Sequence, residues 1–285
     1  MQLAYAISGY KQPEQFRWLL GAIWDPRDVY AVHIDARTPE PVFARFRAIA
    51  GDRPNIHFVP RQRVVWMGMG LVRAWLDSLR LLLDAAPAFS CLVNLSMQDY
   101  PLRPRDAIVA ELARAPGLNY VTCEPLAALP FHIRRRPWLL AFEARDRLIR
   151  TPLPRPIPRD LAIAWKGSWW HVLDRAFCRW MVEDPLPRRN LAFLANVQAP
   201  DELVVQNLLL ASPFRDARAD RNRHFVRWSG TGGSPDTLTM AYHDQLIGSS
   251  LWWARKVDET VDRDLLEALA RRIGAPVPEA LPVAA

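Results

Sequence analysis

Apolar residues along the first half of the chain alternate between two periods. Leu3 to Ser8, Val29 to Ile34, Ile56 to Val59 and Cys91 to Leu95 are short runs rich in β-branched and aromatic residues, as buried strands require. Between them the period becomes helical. Phe16, Leu19, Leu20 and Ile23 share one face over Pro13 to Ile23, and Pro41 to Ala50, Leu71 to Leu83 and Asp106 to Ala113 read as further helices. With a turn at Gly9 and Tyr10 and another strand at Tyr120 to Thr122, strands and helices alternate at βαβ spacing. The pattern predicts an α/β fold whose central sheet is mostly parallel and flanked by helices on both faces.

The second half is less regular. Helices are expected over Leu173 to Val182, Glu202 to Leu210, Ala241 to Ile247 (capped by Thr239) and Val261 to Arg272, with a strand over His224 to Trp228. From Pro125 to Pro158 the prolines at 152, 154, 156 and 158 deny continuous helix or interior strand, so a long surface excursion is expected. A chain of 285 residues can bury a full core, and no low-complexity tract or repeat divides it. The expected organisation is one domain: a nucleotide-fold-like half (1–123), an irregular Pro/Arg-rich excursion (124–160), a second half (161–275) and a fraying Pro/Ala-rich tail (276–285).

Charge narrows the partners. The 37 basic and 30 acidic residues leave +7, which favours anionic partners. No helix-turn-helix, zinc-finger spacing or aromatic RNA-binding motif accompanies the charge, so nucleic acid is not expected; a small phosphorylated ligand or an anionic membrane surface fits the charge. Cys91, Cys123 and Cys178 are odd in number and widely spaced, which predicts neither a disulfide framework nor a zinc site and suits a reducing cytoplasm. No signal peptide and no run of eighteen apolar residues is visible, so neither export by that route nor a membrane span is expected.

The candidate chemistry gathers where apolar runs end. In Cys91-Leu-Val-Asn-Leu-Ser-Met-Gln-Asp-Tyr-Pro-Leu102 a buried strand gives way to Ser96, Gln98 and Asp99; strand ends of this kind are where open α/β sheets bind ligands. Asp99 could instead cap the helix near Arg105. Asp35 follows the second strand, where a carboxylate can meet a ribose or simply occupy a solvated turn with Arg37. Neither a Gly-x-Gly-x-x-Gly after the first strand nor a Walker loop is present. Gly68 and Gly70 precede a helix, which permits close backbone approach by a ligand or by the helix's own neighbours. Trp165-Lys-Gly-Ser-Trp-Trp-His171 offers indole faces for sugar rings, against the alternative of a buried aromatic cluster. In Pro200-Asp-Glu-Leu203 Asp201 can cap a helix, leaving Glu202 free. Arg255 and Lys256 lie in an apolar stretch and need an anion, either a diphosphate or the nearby Asp258 and Glu259.

Taken in order, these segments resemble the core-2/I-branching β-1,6-N-acetylglucosaminyltransferase family, which also contains the peptide O-xylosyltransferases. The resemblance runs through Ala4-Tyr-Ala-Ile7, Val32-His-Ile-Asp35, Val65-Trp-Met-Gly-Met-Gly70, Val93 to Leu102, Trp165 to Trp170, Pro200-Asp-Glu202, Trp228 with Ser234 to Thr239, and Ala254-Arg-Lys256. It implies a GT-A-type fold, a UDP-sugar donor, inversion at the anomeric carbon and activity without a metal or other cofactor. The sole Asp-x-Asp, Asp262-Arg-Asp264, falls in a terminal helix and is a poor metal clamp. By this resemblance Arg255 and Lys256, with Arg227 as a third member, meet the diphosphate, and Val32, Asp35, Gly68, Gly167 and Ser168 lie on the donor side. Glu202 corresponds to the general base; Asp99 approaches the acceptor and in the xylosyltransferase branch is itself a candidate base. Gln98, Trp169 and Trp170 fall on the acceptor side.

The chain departs from animal members, which carry a membrane anchor, a stem and disulfides, and it looks like a bacterial relative. The expectation is a cytoplasmic enzyme, peripheral at the inner membrane face through its basic surface, that acts on a glycan, lipid-linked or peptide hydroxyl in surface-glycan synthesis. The alternative is a catalytically inactive sugar- or nucleotide-binding protein of the same fold.

Overall fold

The computed structural model describes residues 1–86, 88–230 and 233–279. Six residues of the expected fraying tail, 280–285, lie outside that range. In chain order the first half holds β1 (Leu3–Gly9), α1 (Pro13–Ile23), β2 (Val29–Ile34), α2 (Glu40–Ala50), β3 (Ile56–Phe58), α3 (Gly70–Ala85), β4 (Cys91–Ser96), β5 (Asp99–Pro101), α4 (Arg105–Arg114), β6 (Asn119–Tyr120) and β7 (Glu124–Pro125). The middle holds α5 (Phe131–Arg134), β8 (Leu139–Ala144), β9 (Arg147–Pro154), β10 (Trp165–Lys166), β11 (Val172–Asp174), α6 (Arg175–Glu183) and α7 (Pro185–Leu194). The remainder holds α8 (Val204–Ala211), β12 (Arg218–Ala219), β13 (His224–Val226), α9 (His243–Gly248), β14 (Trp253–Arg255) and α10 (Arg263–Ile273).

The central sheet has the order β12-β6-β11-β4-β1-β2-β3. It is parallel throughout except for β11, which runs antiparallel to β4 and β6. Alternation along the strands sorts two cores. Ala4, Ala6, Ala31 and Leu92 face α3, α6 and α8 on one side, while Tyr5, Ile7, Tyr30, Val32, Val93 and Leu95 face α1, α2 and α4 on the other. A third core forms where α10 covers the small sheet β13-β14-β5, around Tyr100, Ala254, Val257, Leu265 and Leu269. The architecture is the expected α/β one.

Three expectations need correction. The helix expected from Leu173 begins only at Arg175, because Val172–Asp174 joins the sheet; Asp174 then caps α6 by accepting from the Ala176 N–H. Thr239 makes no cap bond: the Met240 N–H donates instead to Asp262 Oδ2, 2.8 Å away, whose Oδ1 accepts from Leu265 N–H at 2.9 Å as the cap of α10. The Pro/Arg-rich excursion is also more ordered than its prolines suggest. β8 and β9 pair antiparallel around a tight turn at Arg145 and Asp146, both with positive φ (46° and 64°) as primed hairpin turns require. Pro152 and Pro154 are accommodated because each strand has one free edge.

That hairpin is docked through one carboxylate. Glu143 accepts from the N–H groups of Met69 and Gly70 at the start of α3, with Arg73 Nη1 3.8 Å away. These amides have no partner inside the helix, and an anion there complements the helix dipole. Glu143→Ala is expected to lower stability by about 0.5–2 kcal/mol, as loss of a helix cap does, and to speed proteolysis within 139–154. Urea unfolding and limited proteolysis indistinguishable from wild type would contradict this docking role.

Candidate active site

The carboxyl ends of β1, β2 and β4 open into two adjoining cavities. The inner one, about 250 Å³, is lined by Ser8, Lys11, His33, Asp35, Ser96 and Arg255 among others. The outer cleft, about 660 Å³, is lined by residues that include Gly68, Lys166, Asp201, Glu202, Trp228 and Lys256. Tyr10, Val64, Trp66, Gln98, Trp170 and Arg255 border both. The site therefore reads as one continuous trough.

Arg255 is set by strand register. β14 runs antiparallel to β5 with Arg255 directly opposite Asp99, so the two side chains share a face. Arg255 Nη1 lies 3.1 Å from Asp99 Oδ1 and donates to Ser96 Oγ, and the guanidinium sits over the Trp170 ring at 3.9 Å. Asp99 is fully enclosed and lines neither cavity; its other oxygen accepts from the Ser96 N–H. Burial raises its pKa above the usual aspartate value, opposed by the Arg255 charge. The expected approach of Asp99 to an acceptor is thus corrected: Asp99 neither reaches the trough nor caps α4, and it holds Arg255 in place.

Glu202 does face the outer cleft. Its Oε2 is 3.1 Å from Arg136 Nη1 and 3.3 Å from Lys166 Nζ, so two cations share one oxygen. Arg136 comes from the excursion. Behind Glu202 the backbone is pinned: Ala199 (φ 54°) donates its N–H to the carbonyl of Met67 (φ 62°) at 2.8 Å, two non-glycine residues in the left-handed region. This contact joins the Trp66 loop to the Pro200-Asp-Glu turn. Asp201 caps nothing, since α8 lacks a side-chain cap, and its Oδ1 is buried without a hydrogen bond.

Just beyond β2 Asp35 lines the inner cavity, with both oxygens bound by Arg37 at 2.8 and 3.2 Å. Burial pushes its pKa up, but the Arg37 bonds outweigh that and the net direction is down. His33, not singled out from the sequence, lines the same cavity and accepts from the Gln62 N–H through Nε2 at 2.9 Å. Lys256 Nζ donates to Ser234 Oγ at 2.9 Å rather than pairing with Asp258 or Glu259.

Other expected residues are placed differently. Val32 alternates with His33 and packs wholly in the core. Arg227 is exposed and borders neither cavity. Trp169 borders the outer cleft but is 5% exposed and edge-packed on Trp75 and His171, so it is a wall rather than a stacking face; Trp170 and Gln98 do front both cavities. Gly68 and Gly167 also border the cleft, yet each is pressed by the chain itself. A Cβ on Gly68 would meet Glu143 Oε1 at 2.5 Å, and one on Gly167 would meet the Thr122 carbonyl at 1.8 Å. Ser168 Oγ accepts from Trp170 N–H at 3.2 Å. Trp66 and Trp228, 69% and 55% exposed, are the free indoles bordering the cleft. Among the described residues no cluster of three or more His, Cys, Asp or Glu is placed to hold a metal ion, and no helix is long and apolar enough to cross a membrane.

The model of the Core-2/I-Branching enzyme family matches residues 3–247. The chain belongs to this family. Among curated relatives, a bovine (Bos taurus) beta-1,3-galactosyl-O-glycosyl-glycoprotein beta-1,6-N-acetylglucosaminyltransferase 3 is 27% identical over 94% of this chain and 66% of its own length. Rat (Rattus norvegicus) xylosyltransferase 2 is 25% identical over 94% of this chain and 33% of its own length. The chain therefore spans no more than about two-thirds of either relative. Mouse xyloside xylosyltransferase 1 is a loose structural neighbour, with a TM-score of 0.41 at 13% identity over 89% of this chain and 97% of that one. In this family member the Pro-Asp-Glu turn, the Arg-Lys pair and the Trp165–Trp170 segment, far apart in sequence, border one trough.

The Asp201 carboxyl, part-buried in the cleft wall, is pushed up to about 7, by burial first and by the neighbouring Glu202 charge second. The folded chain keeps this proton across a range in which an unfolded Asp, at roughly pH 4, has lost it, so this group's contribution to stability falls as pH rises from about 4 to about 7. Asp201→Asn, which cannot ionise, is expected to gain stability relative to wild type between pH 5 and pH 8. Urea midpoints that differ by the same amount at both pH values would show that Asp201 does not titrate in this window.

Proposed function

We propose that this chain is an inverting glycosyltransferase that moves a GlcNAc- or xylose-type sugar from a UDP-sugar to an acceptor hydroxyl without a divalent metal. The observation that carries this reading is that Glu202, a carboxylate, and Arg255 and Lys256, two cations, border the same cleft in a member of the Core-2/I-branching family. The bovine and rat relatives, named for GlcNAc and xylosyl transfer, support the sugar classes.

In this mechanism the nucleoside side of the donor occupies the inner cavity and the sugar lies in the outer cleft. The acceptor hydroxyl gives its proton to Glu202 as its oxygen attacks the anomeric carbon from the face opposite UDP. The bond from that carbon to the phosphate oxygen breaks, its electron pair leaves with UDP, and Arg255 and Lys256 stabilise the growing charge. Asp99 keeps Arg255 aimed at this point. Asp262, with both oxygens committed to backbone amides, supports a reaction that does not draw a metal to the Asp-x-Asp pair.

Glu202→Gln retains shape but not basicity, so donor binding should persist while transfer falls by about a hundredfold to ten-thousandfold. The assay is UDP release from UDP-GlcNAc and UDP-xylose with a panel of glycan and peptide acceptors. Near-normal turnover would remove Glu202 as base, and binding without transfer by wild type under every donor would favour the inactive binding protein. Excess EDTA is expected to leave transfer unchanged; loss reversed by manganese would overturn metal independence.

A further inference from the structure

The trough holds a cation that neither the family motifs nor the mechanism above uses. Lys11 lies in the Tyr10-Lys11-Gln12 turn that follows β1, and it lines the inner cavity together with Arg255. The turn is anchored: Gln12 adopts φ 54° and its Nε2 donates to both oxygens of Asp258 at 3.0 Å. That anchor ties the β1–α1 connection to the segment just beyond Lys256. Lys11 lines the inner cavity and Lys256 the adjoining outer cleft, with Arg255 bordering both. Lys256 is lowered from the usual lysine range by burial first, then by the charges of Arg255 and Lys11.

No carboxylate neutralises this cluster fully. Asp99 is committed to Arg255. Asp258, held by Gln12 and by the N–H and hydroxyl of Thr260 at 3.0 and 2.7 Å, offsets part of the charge of Lys11 and Lys256 without pairing directly with either. Among the described residues neither Lys11 nor Lys256 has a carboxylate within ion-pair distance; Lys256 bonds Ser234, and Lys11 lies 5.6 Å from the centre of the Tyr10 ring. Arg255 and Lys256, consecutive at the end of β14, and Lys11 from the β1–α1 turn border the adjoining cavities, and the positive charge left after Asp99 and Asp258 are counted favours a multivalent anion there.

We propose that Lys11 is the third cation of the donor's diphosphate site, the place that the sequence assigns to Arg227. This deepens the glycosyltransferase reading and rests on it. A nucleoside diphosphate carries more charge once the sugar has left, and a third ammonium beside Arg255 and Lys256 favours that product-like distribution.

The test is calorimetric binding of UDP and of uridine to wild type, Lys11→Ala, Lys11→Arg and Lys256→Ala, at low and moderate salt. Lys11→Ala is expected to weaken UDP about tenfold to a hundredfold, as loss of a charge-assisted contact does, while uridine affinity is unchanged. Lys11→Arg should retain most of the UDP preference. The salt dependence of UDP binding should become shallower in Lys11→Ala. If Lys11→Ala keeps the wild-type ratio of UDP to uridine affinity while Lys256→Ala loses it, Lys11 lies outside the diphosphate site and the glycosyltransferase reading stands. Equal loss of UDP and uridine in Lys11→Ala would mean a damaged cavity and would count against the proposal. If wild type itself binds UDP no better than uridine, the parent reading falls and this one with it.

Discussion

The pairing of Arg255 with Asp99 is the constraint around which the site is assembled. A carboxylate with no solvent exposure and a guanidinium side chain at 12% could not each be buried alone; together they are tolerable, and removing one partner of such a pair typically costs about 3–5 kcal/mol. The register of β14 on β5 puts them on one face, and a slip by one residue would turn Arg255 to the other. Ser96 at the end of β4 and the Trp170 ring complete the cradle. One buried pair thereby locks the small sheet, the main sheet and the Trp165–Trp170 segment into a common frame.

The start of α3, an apparent place for a phosphate, is filled by Glu143 from the hairpin. The cations of the trough are side chains: Arg255 borders both cavities, Lys256 the outer one and Lys11 the inner one. The excursion that supplies Glu143 also supplies Arg136, so one segment of low regularity shapes both the α3 terminus and the surroundings of Glu202.

Much of this was legible in the sequence, and the failures have physical reasons. β1, β2, β4 and α1 to α4 are plain because apolar periodicity is strong where a face is buried against a sheet. The β8–β9 hairpin is not, because its turn uses Arg145-Asp146 where Asn-Gly would have signalled it. α7 hides behind Pro185 and Pro187, both tolerated in a first helical turn, with Asp184 ending α6 and capping α7. Of the residues the motifs single out, Glu202 and Lys256 border the outer cleft and Asp35 the inner cavity. Val32 and Arg227 do not, because lying within a matching segment does not fix the direction of a side chain. Lys11 and Arg136 carried no local signal: only the folded chain brings Arg136 to Glu202 and sets Lys11 in the cavity wall with Arg255.

Gly167 illustrates what a signature glycine can mean. It borders the cleft, but the space denied to a side chain there belongs to the Thr122 carbonyl, not to a ligand. In a saturation mutagenesis screen scored on product formation, such a position would rank among the most intolerant and be mapped as substrate contact. The intolerance would report the seam between the Trp165–Trp170 segment and the sheet edge. Scoring abundance beside activity separates the two kinds of position, and the trough's true contact map is what remains after the seams are subtracted.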